Sequence, residues 1–166
     1  MSETIAFRLN GTEVAFTAAP DTRLIDLIRE EAGATATKAA CRIGRCGSCL
    51  VLKDGEAVNS CLVMAYQLEG TTIVSAEGLA AVPAAEIVRA ALIADVSFQC
   101  GYCAPGFTIA LTALLSQNPA PDDEAIHTAL EGNICRCTGY LSILRGAKAA
   151  VAALAGRSAS EQDNPS

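Results

Sequence analysis

The sequence predicts an α+β chain of two unlike parts, a strand-rich first half and a helical second half. Three observations carry this expectation. Apolar and polar side chains alternate through residues 2–17 about an Asn10-Gly11 pair. From Ala84 onward, apolar residues recur at helical spacing. The eight cysteines fall into two groups of four, one in each half, with none between Cys61 and Cys100.

Residues 2–17 read as a hairpin. Ile5, Phe7 and Leu9 alternate with Ala6 and Arg8, and Val14 and Phe16 alternate with Glu13 and Ala15. Asn-Gly between such runs favours a two-residue turn with positive φ at both positions. Asp21 is placed to cap a helix running to about Ala32, with Leu24, Leu27 and Ile28 on one face and Gly33 beyond its end. A loop over 38–49 carries three cysteines. Cys49 to Lys53 is a short apolar strand, which Asp54-Gly55 turns into a second strand at about 56–60. Thr71 to Ser75 forms the last strand. Hairpin, helix, cysteine loop and further strands match a small β-grasp domain over residues 1–77.

Gly78 to Ala85, Ala-rich and containing Pro83, reads as a linker. Four helices are expected after it. The first runs from Ala84 to about Phe98. The second opens at Pro105, a residue suited to a first helical turn, and ends before Asn118-Pro119. The third starts at Asp122, where carboxylates suit a helix N-terminus, and ends at Gly132. The fourth covers about Tyr140 to Ala155, with Gly156 after it. Short Ala-rich helices of this kind pack as a four-helix bundle over residues 84–156. Residues 157–166 are polar and are expected to form a disordered tail.

Composition removes several function classes. The net charge is −6 and the pI about 4.7, which argues against a nucleic-acid binder or a polybasic membrane-surface protein. No run reaches the roughly 18 apolar residues of a membrane span. Met1 to Ala6 carries neither a basic-then-apolar leader nor a twin arginine, so the expected location is the cytoplasm. A partner's export signal would escape that reading.

In a reducing compartment structural disulfides are rare, and eight thiols point to metal ligation. Cys41, Cys46, Cys49 and Cys61 read C-x4-C-x2-C-x11-C. That is the plant-type spacing of a [2Fe–2S] centre. Zinc sites pair C-x2-C with a second C-x2-C or with histidine, and His127 is the only histidine. Gly44 and Gly47 allow the backbone to close on sulfur and to aim N–H groups at it. Cys100, Cys103, Cys135 and Cys137 read C-x2-C-x31-C-x-C, which by spacing alone suits iron or zinc. These two pairs lie on the turns between helices, so four thiolates at loop ends can share one centre.

Five segments together resemble a known family: Thr37 to Cys49 (TKAACRIGRCGSC), Asn59 to Leu62, Glu77-Gly78-Leu79, Gln99 to Gly106 (QCGYCAPG) and Gly132 to Tyr140 (GNICRCTGY). They look like the small iron–sulfur subunit of the molybdenum hydroxylases, which include xanthine dehydrogenase, aldehyde oxidase and carbon monoxide dehydrogenase. The resemblance spans roughly residues 3–155. It implies a plant-type ferredoxin domain whose cluster, on Cys41, Cys46, Cys49 and Cys61, faces a flavin subunit. It also implies a helical domain whose second [2Fe–2S] cluster, on Cys100, Cys103, Cys135 and Cys137, lies near a molybdopterin cofactor held by a large subunit. Hydroxylation would then occur on the large subunit, with electrons passing through both clusters to FAD. Gln99 matches the glutamine that contacts the pterin, and Cys137 the cysteine whose surroundings touch it. Ala40, Ser48 and Ala104 depart from the usual Gly, Ala and Thr; none removes a ligand.

Other residues have a functional and a plain reading. Arg42, Arg45 and Arg136 flank cysteines, and cations there would stabilise a reduced anionic cluster; otherwise they are solvated or pair with carboxylates. Tyr102, between two ligands, either shields the cluster or packs, and packing is the expectation; Met64 and Tyr66 are expected to join the core and His127 to be exposed. Asp122-Asp123 belongs to a helix start and not to an acid–base pair. No nucleophile constellation or phosphate loop appears, so hydroxylation is not expected from this chain alone. Two functions follow: an electron-transfer subunit of a larger oxidoreductase, or a free-standing two-cluster ferredoxin. A helical domain with a glutamine beside a ligand favours docking onto a cofactor.

Overall fold

The computed structural model describes residues 2–162, with side chains to 157. The first half is a five-stranded sheet with a short helix packed on it. Strands β1 (Glu3–Leu9) and β2 (Thr12–Ala18) form the expected antiparallel hairpin, Leu9 opposite Thr12. Asn10 and Gly11 turn it with φ of 52° and 84°, the two positive values that the turn demands. Strand β3 (Leu50–Lys53) and β4 (Glu56–Asn59) pair across the Asp54-Gly55 turn, and β5 (Thr72–Val74) slots between β1 and β3. The sheet order is β2-β1-β5-β3-β4, with β1 and β5 parallel and the other pairs antiparallel. Every second residue of β1 points inward: Ile5, Phe7 and Leu9 join Leu24, Ile28, Val51, Leu68 and Ile73 in one core.

The helix on this core departs from the expected form. It has one α turn, α1 (Leu24–Asp26), and then widens into a π turn over Leu27–Glu31. Asp21 does not cap it; Arg23 stands at the N-cap, and its side chain makes no capping bond to the helix. The reason is non-local. The Leu24 and Ile25 N–H groups donate to the carbonyls of Val63 (2.8 Å) and Ser60 (3.1 Å), so these helix-start donors are already satisfied by the chain after β4.

The segment read as a linker is a packed element. Residues Ala76–Ala81 form a 3-10 turn, and Leu79, 1% exposed, sits with Leu52, Ala85, Ile109 and Ala113 in a core cluster spanning both halves. The helices follow in the expected order: α2 (Pro83–Ala94), α3 (Ala104–Gln117), α4 (Asp123–Leu130) and α5 (Leu141–Gln162). Asp122 caps α4 by accepting the Ala125 N–H at 2.8 Å. Val88, Leu92, Phe107, Leu111, Ile126, Ile143 and Ala147 fill the bundle. Helix α2 stops four residues before Phe98, and Val96 turns the chain with φ 47°. Helix α5 does not stop at Gly156. One helical glycine costs only about 1 kcal/mol, which the alanine run before it absorbs, and Arg157 beyond it reaches Glu86 on α2 at 3.7 Å. Residues 163–166 of the expected disordered tail lie outside the described residues.

Candidate metal centres

Each cysteine group is brought together by a loop and an anchor. In the first, the 38–49 loop supplies three thiols and the end of β4 delivers Cys61. The Ser60 hydroxyl donates to the Cys49 carbonyl at 2.7 Å, and the Ser60 N–H does so at 3.2 Å, which fixes the two ligand segments against each other. Arg42 and Gly44 adopt positive φ (58° and 74°), so the loop curls around its own sulfurs. The thiols approach in pairs, Cys41 with Cys46 and Cys49 with Cys61. In the second group Cys103 pairs with Cys135, and the sulfurs of Cys100 and Cys137 stand 3.6 Å apart. Among the described residues, no three His, Cys, Asp or Glu side chains converge as they would on one ion.

The electrostatics differ from thiol to thiol. At Cys41 burial opposes ionisation, yet backbone N–H groups of Ile43, Arg45 and Cys46 and the Cys46 thiol outweigh it and bring the pKa down to about 7. The Arg45 N–H lies 3.3 Å from this sulfur. Burial pushes Cys49 up to about 12, reinforced by Cys61 and Cys46. Burial likewise pushes Cys103 to about 12, helped by its neighbours Cys135 and Cys100. Cys135 is the opposite case: burial raises it, but the Thr138 hydroxyl and the N–H groups of Cys137 and Thr138 bring it below the ordinary thiol value. Cys137 is raised, chiefly by its contact with Cys100.

Two pairs of thiols per group, with N–H and O–H donors turned toward sulfur, fit a [2Fe–2S] centre, in which each iron takes two cysteine ligands. The two groups also meet. The Ile134 N–H donates to the Cys46 carbonyl at 3.0 Å, and the Asn133 side chain donates to the Gly47 carbonyl at 3.4 Å. A cavity of about 210 Å³ is lined by Cys46 and Ser48 on one side and by Cys100, Cys103, Cys135 and Cys137 on the other.

The remaining predicted residues separate clearly. Gln99 is exposed, in the loop between α2 and α3 beside an exposed Cys100; Cys137 is exposed as well. Arg42 forms an ion pair with Asp26, and its carbonyl accepts a bond from Arg23 at 2.7 Å. Arg45, Arg136 and His127 are exposed. Tyr102 does not pack inside: it is 48% exposed at the cavity of the second group, because the short C-x2-C loop holds it at the surface. Tyr66, at 65%, is not a core residue either. Its 3-10 turn, Ala65–Gln67, buries Ala65 instead, and Met64 is only half-buried. Ser60, Asn133, Thr138 and Tyr140 lie in the cysteine-bearing segments 59–62 and 132–140, but the sequence assigned none of them a role. The signal was a polar side chain within three residues of a cysteine.

Known proteins give this arrangement a context. A 2Fe-2S iron-sulfur cluster binding domain matches residues 7–80, and a [2Fe-2S] binding domain matches residues 75–148. The nicotinate dehydrogenase small FeS subunit of Eubacterium barkeri is 40% identical over 89% of this chain and 94% of its own length. The xanthine dehydrogenase iron-sulfur-binding subunit of Escherichia coli O157:H7 is 40% identical over 86% of this chain and 92% of its own. The fold superimposes on a chain of quinoline 2-oxidoreductase from Pseudomonas putida 86 with a TM-score of 0.83 at 34% identity, over 93% and 97% of the two chains. It also matches aldehyde oxidoreductase from Desulfovibrio desulfuricans, with a TM-score of 0.84 at 32% identity, over 93% of this chain but 17% of that one.

Proposed function

The chain belongs to the family of small [2Fe–2S] iron–sulfur subunits of the molybdenum hydroxylases and is part of an oxidoreductase, and from that premise we propose its place in the electron path. Cys41, Cys46, Cys49 and Cys61 hold one cluster in a domain over residues 1–77. Cys100, Cys103, Cys135 and Cys137 hold the other in a domain over residues 84–156. When bound, the two clusters supply one-electron carriage from a molybdopterin centre on a large partner subunit to FAD on a second partner, during oxidation of a small substrate such as a heterocycle or an aldehyde. Gln99 and Cys137, both exposed on the second group's side, are the residues that meet the pterin.

The observation that carries this reading is the bond between the ligand loops. Cys46 ligates in one group and Ile134 immediately precedes Cys135 in the other, so one N–H···O contact of 3.0 Å joins the two thiol sets. Two exposed apolar surfaces support two partners. Ile43 and Leu62 (65% and 52% exposed) adjoin the first group, and Tyr102, Ile134 and Leu141 (48%, 51% and 72%) adjoin the second. Apolar groups beside redox ligands are suited to burial against other chains. Among the described residues no helix is long and apolar enough to cross a membrane, and eight cysteines given to metal ligation and not to disulfides favour a reducing compartment, the cytoplasm. The test is purification of the native assembly. Co-migration with large chains carrying molybdenum and flavin is expected. A lone small protein with intact iron would refute the subunit role and leave a free-standing ferredoxin.

A further inference from the structure

The second group contains a device that the first lacks. Among the described residues, Thr138 is the one side-chain hydroxyl that donates to a cysteine sulfur, at 3.1 Å from Cys135 Sγ. Its direction is fixed by a second bond, because the Tyr140 N–H donates to Thr138 Oγ1 at 3.1 Å. With a lone pair committed there, the hydroxyl proton is left to point at sulfur. Tyr140 closes the motif from the other side. Its phenolic oxygen accepts the Cys135 N–H at 3.1 Å, so sulfur and backbone of one residue are held by a two-residue clamp.

The chain is bent to make this clamp. Gly139 and Tyr140 take φ of 61° and 70°. A bulky residue in that region is strained and needs its surroundings to hold it there. Here Phe107 does so, fully buried, with its ring 6.5 Å from that of Tyr140. At the first group the donor to Cys41 is a backbone N–H, that of Arg45.

We propose that Thr138 sets the reduction potential of the second cluster by a hydrogen bond to the Cys135 thiolate, aimed by the Tyr140 N–H. This rests on the reading that Cys135 is a cluster ligand. Reduction adds one electron to the oxidised cluster; no bond forms or breaks, and the proton stays on Thr138. The added negative charge spreads onto the sulfurs, so a donor at sulfur stabilises the reduced form more and raises the potential. Thr138 is a positioning residue for electron flow. It makes the second cluster easier to reduce than it would be without the hydroxyl, while leaving the first untouched.

The experiment is a dithionite titration of the purified holoprotein followed by EPR, with iron and labile sulfide measured first. In Thr138→Val the second cluster's oxidised-to-reduced ratio at fixed potential should rise about tenfold, equal to about 59 mV for one electron. In Thr138→Ser it should stay within about twofold of the parent, since the hydroxyl donor is kept. The first cluster's midpoint is the internal control. An unchanged second midpoint in Thr138→Val with both clusters present overturns the proposal. Should Thr138→Val lose the cluster, exchangeable-proton ENDOR on the reduced parent decides: a strongly coupled exchangeable proton at the second cluster is expected, and its absence overturns the proposal. A parent protein without labile sulfide would instead overturn the cluster reading beneath it.

Discussion

Gly106→Ala probes the joint between the two ligand loops. Gly106 lies in the first turn of α3 with ordinary helical backbone, so alanine meets no φ penalty there and its effect is purely one of space. A Cβ at this position would stand 3.0 Å from the Gly47 carbonyl carbon and 3.1 Å from Asn133 Nδ2, and closer still to the Gly47 oxygen. The oxygen contact is the limiting one, and clearing it to ordinary van der Waals distance opens the joint by about 1 Å. The Ile134–Cys46 bond, 3.0 Å in the parent, would then lengthen to about 4 Å, beyond hydrogen-bonding range. Overpacking costs about 1–3 kcal/mol, and alanine returns about 1 kcal/mol of helix propensity, which leaves a net destabilisation of about 0–2 kcal/mol. Thermal unfolding alone is therefore a blunt readout. Hydrogen exchange at the Ile134 amide is the sharp one, and it should speed up strongly. Gly156→Ala, where nothing lies within 4 Å, is the control and should gain up to about 1 kcal/mol. Were Gly106→Ala to gain stability like the control while Ile134 kept its protection, the tight joint would be refuted.

Three further outcomes are expected. Reduced protein should give two separable EPR signals, with Cys49→Ser altering one and Cys103→Ser the other; loss of both from one substitution in a folded protein would contradict independent clusters. Cys46→Ser should leave substrate-driven molybdenum reduction intact in single turnover yet block steady turnover, whereas Gln99→Ala should disturb the molybdenum signal itself; the reverse pattern would invert the electron order. At Glu77, burial raises the carboxyl's pKa, but bonds from the Ser75 hydroxyl (2.6 Å) and the Ala36 N–H (2.7 Å) outweigh it and hold it below the usual value of 4.5. A depressed folded-state pKa gives stability above the unfolded value that is lost as pH falls through the folded one. Glu77→Gln should therefore cost under about 1 kcal/mol at pH 7, given solvent screening, and the difference should shrink as pH falls below the usual carboxylate value and be lost once the folded-state carboxyl is protonated.

What the sequence disclosed and what it hid divide along the range of the interaction. The hairpin was legible because Asn10-Gly11 and the alternation of Ile5, Phe7 and Leu9 act within a few residues. The start of α4 was legible because Asp122 caps from within the same turn. Asp21 misled because the donors it would have satisfied are taken by Val63 and Ser60, some forty residues on. The turn at 76–81 hid its role because Leu79 is apolar in a run of alanines, and only Leu52 and Ile109 reveal that it is core. Tyr66 and Tyr102 misled in the other direction, since an aromatic residue in sequence carries no sign of whether a partner chain or its own core will cover it.

The same distinction bears on the metal centres. Cysteine spacing identifies candidates for ligation but says nothing about how one thiol differs from its neighbour. That difference comes from donors the spacing does not specify: a backbone N–H at Cys41, burial at Cys49 and Cys103, a threonine hydroxyl at Cys135. It comes also from the joint. Gly47 has φ 66°, and a Cβ there would stand 2.7 Å from the Gly132 carbonyl oxygen. Gly106 is thus required by the Gly47 carbonyl, and Gly47 by Gly132 and Asn133, so two glycines that read locally as a loop glycine and a helix-start glycine both serve one joint. Because Leu79 packs against both halves and Ile134 bonds to Cys46, separating the halves exposes a shared core and breaks the link between ligand loops at once. The distance between the two thiol sets is therefore held by the same contacts that hold the fold together.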